Sequence, residues 1–344
     1  MLNKLWLYSI RTYLSIGLFF YYRRIKVVNL DNIPKGKPLL ILCNHQNALL
    51  DPLIIAVKYR HFSYFLTRAA VFKSPFIAKI LKSLRMLPVY RIRDGFNVIS
   101  KNNDIFKTCS ELLNNDEAVV IFPEGSHNLN RTVRPLSKGF TRIVFDTLEL
   151  YPTLDLNLIP VGLNYKNPEK FVDEVSMHFG KPITSQDFVS DDRNKDVKTL
   201  KNAVHQSISK LTTHIPPSDY DETLQKLLSL NVNFLNPQQI NSCISKNFEG
   251  CSKQKKTGLS GLKQFFKILL IINLWFPYFI WKWYIEPKID EIEFVSTFRF
   301  TVAITLVPFY LLIIIVLLSL FYGWLWALTY FIFVLGLALL AIKL

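Results

Sequence analysis

The chain changes character along its length, because alternating short apolar and polar segments give way to long apolar stretches near the carboxyl end. In the first part, apolar runs of strand length lie around residues 118–122, 156–165 and 175–179. Segments with apolar residues at helical spacing separate such runs. This alternation predicts a layered α/β domain with a central sheet over residues 27–240.

Three helices are expected within this domain. Apolar residues at helical spacing run through 98–113, and a second helix is expected to start at a capping Ser137 and to run through 140–147. A third, amphipathic helix is expected over 195–215. From 241 to 264 the composition becomes polar and basic, which predicts a linker.

The last 80 residues predict a membrane region, 265–344. Residues 300–342 are nearly uncharged and too long for one span, which predicts a hairpin of two spans with its break at 319–323. Residues 265–285 are apolar but contain Pro277, so this segment either spans or re-enters on the same face. Re-entry is favoured, because Pro277 frees a backbone carbonyl and basic residues flank both ends.

Residues 1–26 form an apolar, aromatic stretch in which Lys4 and Arg11 fall on one helical face. This pattern predicts a helix in the membrane interface, with its basic groups near lipid phosphates. A cleaved signal peptide is disfavoured, because Arg11 interrupts the apolar core and no small-residue cleavage site follows. A spanning helix remains the alternative and would bury an arginine in the bilayer.

Composition and charge narrow the classes of function. The formal net charge of +15 indicates an anionic partner. Nucleic acid is disfavoured because the basic residues are dispersed, whereas a lipid bilayer and the phosphates of coenzyme A or an acyl carrier protein fit. The four cysteines lack paired spacing and are expected to be reduced thiols. Zinc-binding histidine pairs and glycine-rich nucleotide motifs are absent from the sequence.

The strongest candidate for chemistry follows the apolar run 38–43. His45 and Asp51 lie six positions apart and converge only if His45 sits in a turn and Asp51 starts a helix. Asp51 before Pro52 fits an N-cap with proline at the first helical position. The spacing thus allows an imidazole oriented by a carboxylate, as a general base needs. The alternative is a simple cap beside a satisfied polar residue.

A second motif, Glu124-Gly125-Ser126, ends another apolar run after Pro123. Proline stops the strand, and glycine permits a positive φ or a close backbone approach. A plain surface turn is the alternative interpretation.

Four ordered motifs resemble those of the glycerolipid acyltransferases, which transfer a fatty acyl group from a thioester to glycerol-3-phosphate or lysophosphatidic acid. The motifs are 44–52, 87–91, 122–126 and 158–162, and the resemblance covers roughly 35–185. It implies a central mixed sheet flanked by helices. Five residues separate His45 from Asp51, where most members have four, which resembles the branch with fungal-type glycerol-3-phosphate acyltransferases.

The resemblance implies roles for particular residues. His45 is the general base, and Asp51 fixes its tautomer. Arg91 binds the acceptor phosphate because guanidinium can hold two oxygens. Further substrate-binding candidates are Arg93, Lys73, Glu124 (for a glycerol hydroxyl), Gly125 and Ser126.

The motif with Glu124 departs from the family pattern. It usually continues with threonine and arginine, but here it continues with Ser126-His127, so Arg131 or Arg134 could take the place of the missing arginine. No metal or organic cofactor is implied, because acyl-coenzyme A or acyl-carrier protein arrives activated.

Three hypotheses follow. The first is acylation of glycerol-3-phosphate or its 1-acyl derivative in phospholipid biosynthesis. The second is acylation of another lipid headgroup such as an aminolipid, and the third is a non-catalytic membrane scaffold. Basic residues at 253–267 precede the first apolar C-terminal segment, so the catalytic domain is expected in the cytoplasm.

Overall fold

The protein is described by a computed structural model over residues 2–91, 100–251 and 260–344. Within these ranges the strands form one mixed sheet with the order β1-β7-β6-β2-β5-β3-β4, and β8 pairs with β6. The strands are β1 (Tyr22–Val28), β2 (Leu39–Cys43), β3 (Ser63–Arg68), β4 (Met86–Val89), β5 (Ala118–Ile121), β6 (Asn157–Tyr165), β7 (Asp173–Phe179) and β8 (Ile183–Thr184). The predicted mixed central sheet is confirmed.

Helices cover both faces of the sheet and extend into the C-terminal region. They are α1 (Leu2–Tyr21), α2 (Leu50–Lys58), α3 (Pro75–Ser83), α4 (Asn102–Asn114), α5 (Gly139–Leu150), α6 (Arg193–Leu211), α7 (Tyr220–Ser229), α8 (Pro237–Ser245), α9 (Ser260–Asn273), α10 (Trp275–Phe279), α11 (Val295–Tyr322) and α12 (Trp324–Lys343).

Strand β2 lies near the middle of the sheet and is parallel to both neighbours, β5 and β6. Its residues alternate between two cores: Leu39 and Ile41 face the core under α1 and α2, and Leu40 and Leu42 face the core under α4, α5 and α6. All five residues of β2 are buried, as expected of a parallel strand covered on both faces. The turn that follows β2 is therefore held by rigid structure.

The N-terminal helix is shorter than the sequence suggested. It ends at Tyr21, and residues 22–28 form edge strand β1, parallel to β7. Ile25 and Val27 pack on the core while Arg24 and Lys26 are exposed, which is strand periodicity. The expected boundary at residue 26 therefore moves to residue 21.

Arg11 is also placed differently. Its guanidinium donates to the carbonyl oxygens of Val57 and Arg60, both at 3.1 Å, and of Tyr59. These carbonyls lie at the end of α2, which favours a cation. The expectation that Arg11 faces lipid phosphates is wrong, because the end of a neighbouring helix binds it instead.

Two helix starts need correction. Helix α5 begins at Gly139 after Lys138, without a side-chain capping bond, so Ser137 is not its cap. Ser137 instead donates its backbone N–H to the Pro123 oxygen at 2.8 Å. Helix α6 begins at Arg193, where the Asp192 carboxylate caps two backbone N–H groups, and it ends four residues before the expected 215.

The expected linker starts later than residue 241. Residues 241–245 belong to α8, and residues 252–259 lie outside the described residues. Cys243 and Cys251 form a disulfide with a Cα–Cα distance of 5.2 Å, which corrects the expectation of four free thiols. The turn after α8 joins them although their spacing matches no common motif. Cys43 and Cys109 are free and buried.

Among the described residues, two helices are long and apolar enough to cross a membrane, over Ile292–Tyr322 and Trp324–Lys343. They meet at Gly323, where the hairpin was expected to break. A bent pair, Gly261–Asn273 and Trp275–Lys288, turns by 96° and would add a third crossing if it were one broken span.

The bend lies at Leu274, three residues before Pro277. A proline ring clashes with the carbonyl four residues earlier, here Asn273, so the first helix ends there. Lys267 near one end donates to the Phe171 oxygen at 3.2 Å, and the chain beyond the other end returns to His127 through Glu291. Both ends thus contact the α/β domain, which favours re-entry.

Candidate active site

Asn44 fixes the turn that follows β2. Its side-chain amide donates to the Leu163 oxygen at 3.0 Å and accepts from the Leu163 N–H at 2.7 Å. This pair continues the contact with β6 after the strand itself has ended. His45, the next residue, therefore leaves the sheet at a defined point.

His45 and Asp51 converge as the spacing predicts. His45 Nδ1 lies 2.8 Å from Asp51 Oδ2, and the same oxygen accepts the Asn47 N–H at 2.8 Å. The Asp51 side chain is 0% exposed and the His45 side chain is 13% exposed. Asp51 lies in the first turn of α2 and is not its N-cap, because its carboxylate folds back over the turn.

Tyr165 completes the arrangement, and the sequence argument missed it. Its hydroxyl, at the end of β6, donates to Asp51 Oδ1. Burial, and then the negative charge of Asp51, raise the pKa of Tyr165 well above its usual value, so the phenol stays a donor. The sequence did contain a signal for Tyr165, because it places a hydroxyl group at the end of the buried strand β6.

The bonding pattern defines the chemistry of His45. An ionised carboxylate only accepts, so Nδ1 carries the proton and Nε2 is the basic nitrogen. The His45 ring stacks on Phe122, with ring centroids 4.2 Å apart. The backbone oxygen of His45 accepts from the Asn128 N–H at 3.0 Å. A fixed imidazole with a basic Nε2 can remove a proton from a bound hydroxyl.

Glu124 supports the backbone of this turn. Its side chain is 4% exposed; Oε1 accepts the His45 N–H at 3.1 Å, and Oε2 accepts Arg134 Nε at 2.9 Å. These bonds make Glu124 a positioning residue. The binding of a glycerol hydroxyl, the role expected for it, stays a prediction.

Gly125 and Ser126 continue the same support. Gly125 has φ +75°, in the left-handed region, and open space where a Cβ would stand. The Ser126 Oγ accepts from Arg134 Nη1 at 2.8 Å, and its backbone oxygen accepts from Nη2. Arg134 is therefore engaged in holding residues 124–126.

Arg131 is a structural residue. Its guanidinium donates to the Tyr165 and Lys166 oxygens at 2.9 and 3.0 Å and packs over the Phe234 ring. Burial lowers the pKa of Arg131 to about 10. Neither Arg131 nor Arg134 is placed to replace the missing family arginine, because protein groups already bind both.

Three other residues were predicted to bind substrate, and their positions relative to His45 differ. Arg91 lies two residues beyond β4 and is half-buried; its charge contributes to lowering the pKa of His127, which places it near the site. Lys73 is exposed before α3, and no described contact joins it to His45. Arg93 lies outside the described residues.

His127 lies beside His45, with ring centroids 5.7 Å apart. Its ring also packs edge-on against Phe294 at 4.8 Å, and Nε2 lies 3.9 Å from Glu291 Oε2. Burial, and then the charge of His45, lower the pKa of His127, which favours its neutral form. The segment before α11 therefore borders the candidate site.

The first turn of α11 contacts the catalytic turn directly. Thr297 Oγ1 accepts the Leu49 N–H at 3.2 Å. Ser296 Oγ and Asn47 Nδ2 both donate to the Pro168 oxygen, the latter at 3.3 Å. The C-terminal region thus supplies part of the wall of the site. The sequence analysis did not predict this contact, because Thr297 and Leu49 lie 248 positions apart.

One group among the described residues offers several metal-ligand atoms. The ligand atoms of His127, Glu291 and Glu293 lie within 4.8 Å of one another. Glu291 is 64% exposed, and such exposed carboxylates are common without a metal. The group therefore carries no metal assignment.

The chain is similar in sequence to known acyltransferases. Residues 24–164 match the family described as Acyltransferase. The chain is 19% identical over 297 residues to an uncharacterized acyltransferase of Schizosaccharomyces pombe, covering 60% of this chain and 44% of that protein. It is 25% identical over 123 residues to glycerol-3-phosphate O-acyltransferase 1 of Saccharomyces cerevisiae, covering 34% of this chain and 16% of that protein.

The chain is also similar to a bacterial 1-acyl-sn-glycerol-3-phosphate acyltransferase. The chain is 24% identical over 173 residues to the 1-acyl-sn-glycerol-3-phosphate acyltransferase of Borreliella burgdorferi, covering 50% of this chain and 64% of that protein. In each of these three comparisons the chain spans less than two thirds of the relative.

Proposed function

We propose that the chain, whose residues 24–164 match the family described as Acyltransferase, transfers a fatty acyl group from a thioester to a hydroxyl of glycerol-3-phosphate or 1-acylglycerol-3-phosphate. The donor is acyl-coenzyme A or acyl-carrier protein. The single observation that carries the proposal is the hydrogen-bonded series Tyr165–Asp51–His45, which leaves His45 Nε2 as a base.

The reaction proceeds by direct transfer. His45 Nε2 takes the proton of the acceptor hydroxyl as that oxygen attacks the thioester carbonyl carbon. Asp51 stabilises the imidazolium that forms, and Tyr165 and the Asn47 N–H hold the carboxylate. The carbon–sulfur bond then breaks, and the imidazolium returns its proton to the departing sulfur.

Arg91 is proposed to bind the acceptor phosphate. It follows β4, whose carboxyl end lies at the same edge of the sheet as those of β2 and β5. In parallel α/β sheets, ligands bind at this edge. A guanidinium there can hold two phosphate oxygens while the hydroxyl reaches His45.

The active site is proposed to face the membrane surface from the cytoplasm. Helix α11 begins beside His127 and continues into an apolar hairpin, so an acylated product has a short path to lipid. The basic residues of 253–267 support a cytoplasmic domain. The Cys243–Cys251 disulfide opposes this orientation, because the cytoplasm keeps thiols reduced. The thiol content of the two cysteines in cells therefore tests it: free thiols support a cytoplasmic domain, and a disulfide contradicts it.

The test is an assay of the purified full chain in lipid nanodiscs. Glycerol-3-phosphate and 1-acylglycerol-3-phosphate are each offered with acyl-coenzyme A and with acyl-carrier protein, and acylated products are identified by mass spectrometry. The proposal expects product with at least one combination and its loss in His45→Ala. A folded chain that acylates neither acceptor would overturn it and favour the scaffold hypothesis.

A second candidate acceptor is a lipid with an amino headgroup. His127 stands where the family usually has arginine, and Glu291 and Glu293 lie beside it. This exchange of positive for negative charge favours a cationic group over a phosphate at that point. An aminolipid acceptor in the same assay decides between the two.

A further inference from the structure

Helix α3 presents an apolar face that the protein leaves uncovered. Phe76 is 74% exposed, Ile77 46% and Ile80 38%, and no residue of the helix is buried. Residues 76 and 80 are one turn apart, so their side chains adjoin on one face. The exposed face is therefore continuous.

Basic residues border the same face. Lys79 and Lys82 are exposed; Lys79 lies beside Phe76 around the helix, Lys82 lies further round on the polar side, and Lys73 precedes the helix. We use the name "α3 surface" for Phe76, Ile77, Lys79, Ile80 and Lys82. An apolar face with lysines beside it is typical of helices that lie in the membrane interface.

The α3 surface adjoins α1. Trp6 Nε1 donates to Ser83 Oγ at 3.2 Å, and Trp6 and its neighbour Leu5 are 42% and 65% exposed. Tryptophan is enriched at membrane interfaces because it has an apolar body and a polar tip. The uncovered apolar area therefore extends from α3 onto α1.

Helix α1 in turn reaches the membrane hairpin. Tyr21 packs edge-on against Phe300 of α11, with centroids 5.2 Å apart, and Gly17 lies against Ile304. The surface of α3 and α1 is thus continuous with the helices that are long enough to cross a bilayer.

We propose that the α3 surface lies in the headgroup region of an anionic bilayer, with Phe76, Ile77 and Ile80 below the phosphates and with the long side chains of Lys79 and Lys82 reaching the phosphates from the polar side of the helix. A bilayer is the occupant because the hairpin already fixes the chain to one, and because the lysines and the net charge of +15 complement anionic lipid. The proposal does not depend on which acceptor is acylated.

Docking of α3 has a consequence for the neighbouring strand. Strand β4 begins three residues after α3 ends, and Arg91 follows β4 by two residues. Contact of α3 with the bilayer would therefore set the height of this part of the sheet above the membrane.

The test measures the depth of residue 76 in the full chain. Phe76→Cys, labelled with an environment-sensitive fluorophore, is reconstituted into vesicles of phosphatidylcholine with phosphatidylglycerol. Gln206→Cys, exposed on α6 at the opposite face of the sheet from α1, is the matched control. The native chain carried through the same labelling gives the background. Neither substitution touches a core, so both variants should fold.

We expect the label at residue 76 to shift its emission to the blue and to be quenched by lipid-attached nitroxide. The label at residue 206 should be quenched by aqueous iodide instead. Iodide quenching at residue 76 equal to that at residue 206 would overturn the proposal, and a label shielded from both quenchers would overturn it in favour of a protein partner.

A second arm tests the lipid charge. Lys79→Gln and Lys82→Gln are each introduced into the labelled Phe76→Cys chain. In anionic vesicles each should lower the ratio of lipid-exposed to water-exposed label by roughly five-fold, because the attraction of one lysine to the anionic surface is lost. Both should have little effect in pure phosphatidylcholine. An equal response in the two lipids would contradict the anionic occupant.

Discussion

Asp51 shows how single residues define this site. Its two oxygens accept from His45, from the Asn47 backbone and from Tyr165, and no part of its side chain is exposed. A buried carboxylate that accepts from several donors keeps its orientation. The imidazolium of His45 would therefore form beside a fixed negative charge, as a general base requires.

The first prediction concerns His45. His45→Ala should lower kcat by about 10²–10⁴-fold, because the general base is lost, while the melting temperature changes little. The measurement is acyl transfer by purified protein. His61→Ala, at an exposed position, is the control and should keep normal activity. Near-normal turnover by His45→Ala would make His45 a structural residue.

The second prediction concerns Arg91. Arg91→Ala should raise the apparent KM for the acceptor far more than the KM for the thioester, because the phosphate contact is lost. Arg91→Lys should restore binding only in part, since an ammonium group lacks the planar pair of donors. Lys107→Ala, exposed on α4, serves as a control. Equal changes in both KM values would instead indicate a role in folding.

The third prediction concerns the buried carboxyl of Asp173. It is 2% exposed, Oδ1 accepts from the Asn167 N–H at 2.7 Å, and burial raises its pKa to about 7. Between the usual pKa near 4 and this value, the folded state holds a proton that the unfolded state has lost. The free energy of unfolding should therefore fall as pH rises through this window, and level off above it.

Asp173→Asn should remove this dependence and raise the melting temperature at pH 8, because the amide keeps an acceptor oxygen without a charge. The measurement is thermal unfolding between pH 4 and pH 8. Asp31→Asn, whose side chain is 95% exposed, is the matched control and should leave the slope unchanged. A native-like slope in Asp173→Asn would assign the pH dependence to another group.

At the scale of elements, the first two turns of α11 belong to the α/β domain as much as to the membrane. Phe300 is 1% exposed and is part of the core under α1 and α2. Thr297 accepts the backbone N–H of Leu49, just before α2. A truncation before residue 260 would remove both contacts, so it would disturb the catalytic turn as well as the anchoring.

The fourth prediction isolates this contact. Thr297→Val keeps the shape of the side chain but leaves the part-buried Leu49 N–H without its acceptor. We expect kcat to fall by roughly ten-fold with unchanged insertion into membranes, measured by alkali extraction. The control is Thr301→Val, one turn later, whose hydroxyl donates to the Thr297 oxygen of its own helix. Equal activities of the two variants would limit α11 to anchoring.

At the scale of the whole molecule, the C-terminal hairpin starts and ends at the catalytic domain. Helix α11 begins beside His127, and Lys343 at the end of α12 donates to the Phe19 and Tyr22 oxygens at 2.7 and 2.8 Å. If the two helices cross the bilayer, the turn at Gly323 lies on the opposite side of the membrane from the candidate active site.

The fifth prediction is this topology. Tyr322→Cys should react with a membrane-impermeant maleimide only from the side opposite to Ile292→Cys, in sealed vesicles of known orientation. Both positions are exposed, at 69% and 50%. In intact cells, a cytoplasmic catalytic domain predicts labelling of residue 322 from outside. Labelling of both positions from one side would contradict the hairpin.

The sequence by itself determined the α/β class, the two apolar spans, and the pairing of His45 with Asp51. Strand length, helical spacing and span length are local properties, so they can be read from consecutive residues. The six-residue interval required only that one turn bring His45 back to Asp51. The expected helix boundary at residue 26 was wrong because it depends on a distant contact. Residues 22–28 form strand β1 by pairing in parallel with β7, and no local pattern specifies that partner.

The tertiary structure decided which residues surround that pair. Tyr165 and Thr297 reach the His45 turn from 114 and 248 positions away from their partners, Asp51 and Leu49. Glu124 accepts both from the His45 N–H and from Arg134, so a second motif supports the turn. Such contacts depend on how strands and helices stack, and no local pattern specifies that stacking. The contact between His45 and Asp51 was therefore predictable from the sequence, whereas the residues that support it were not.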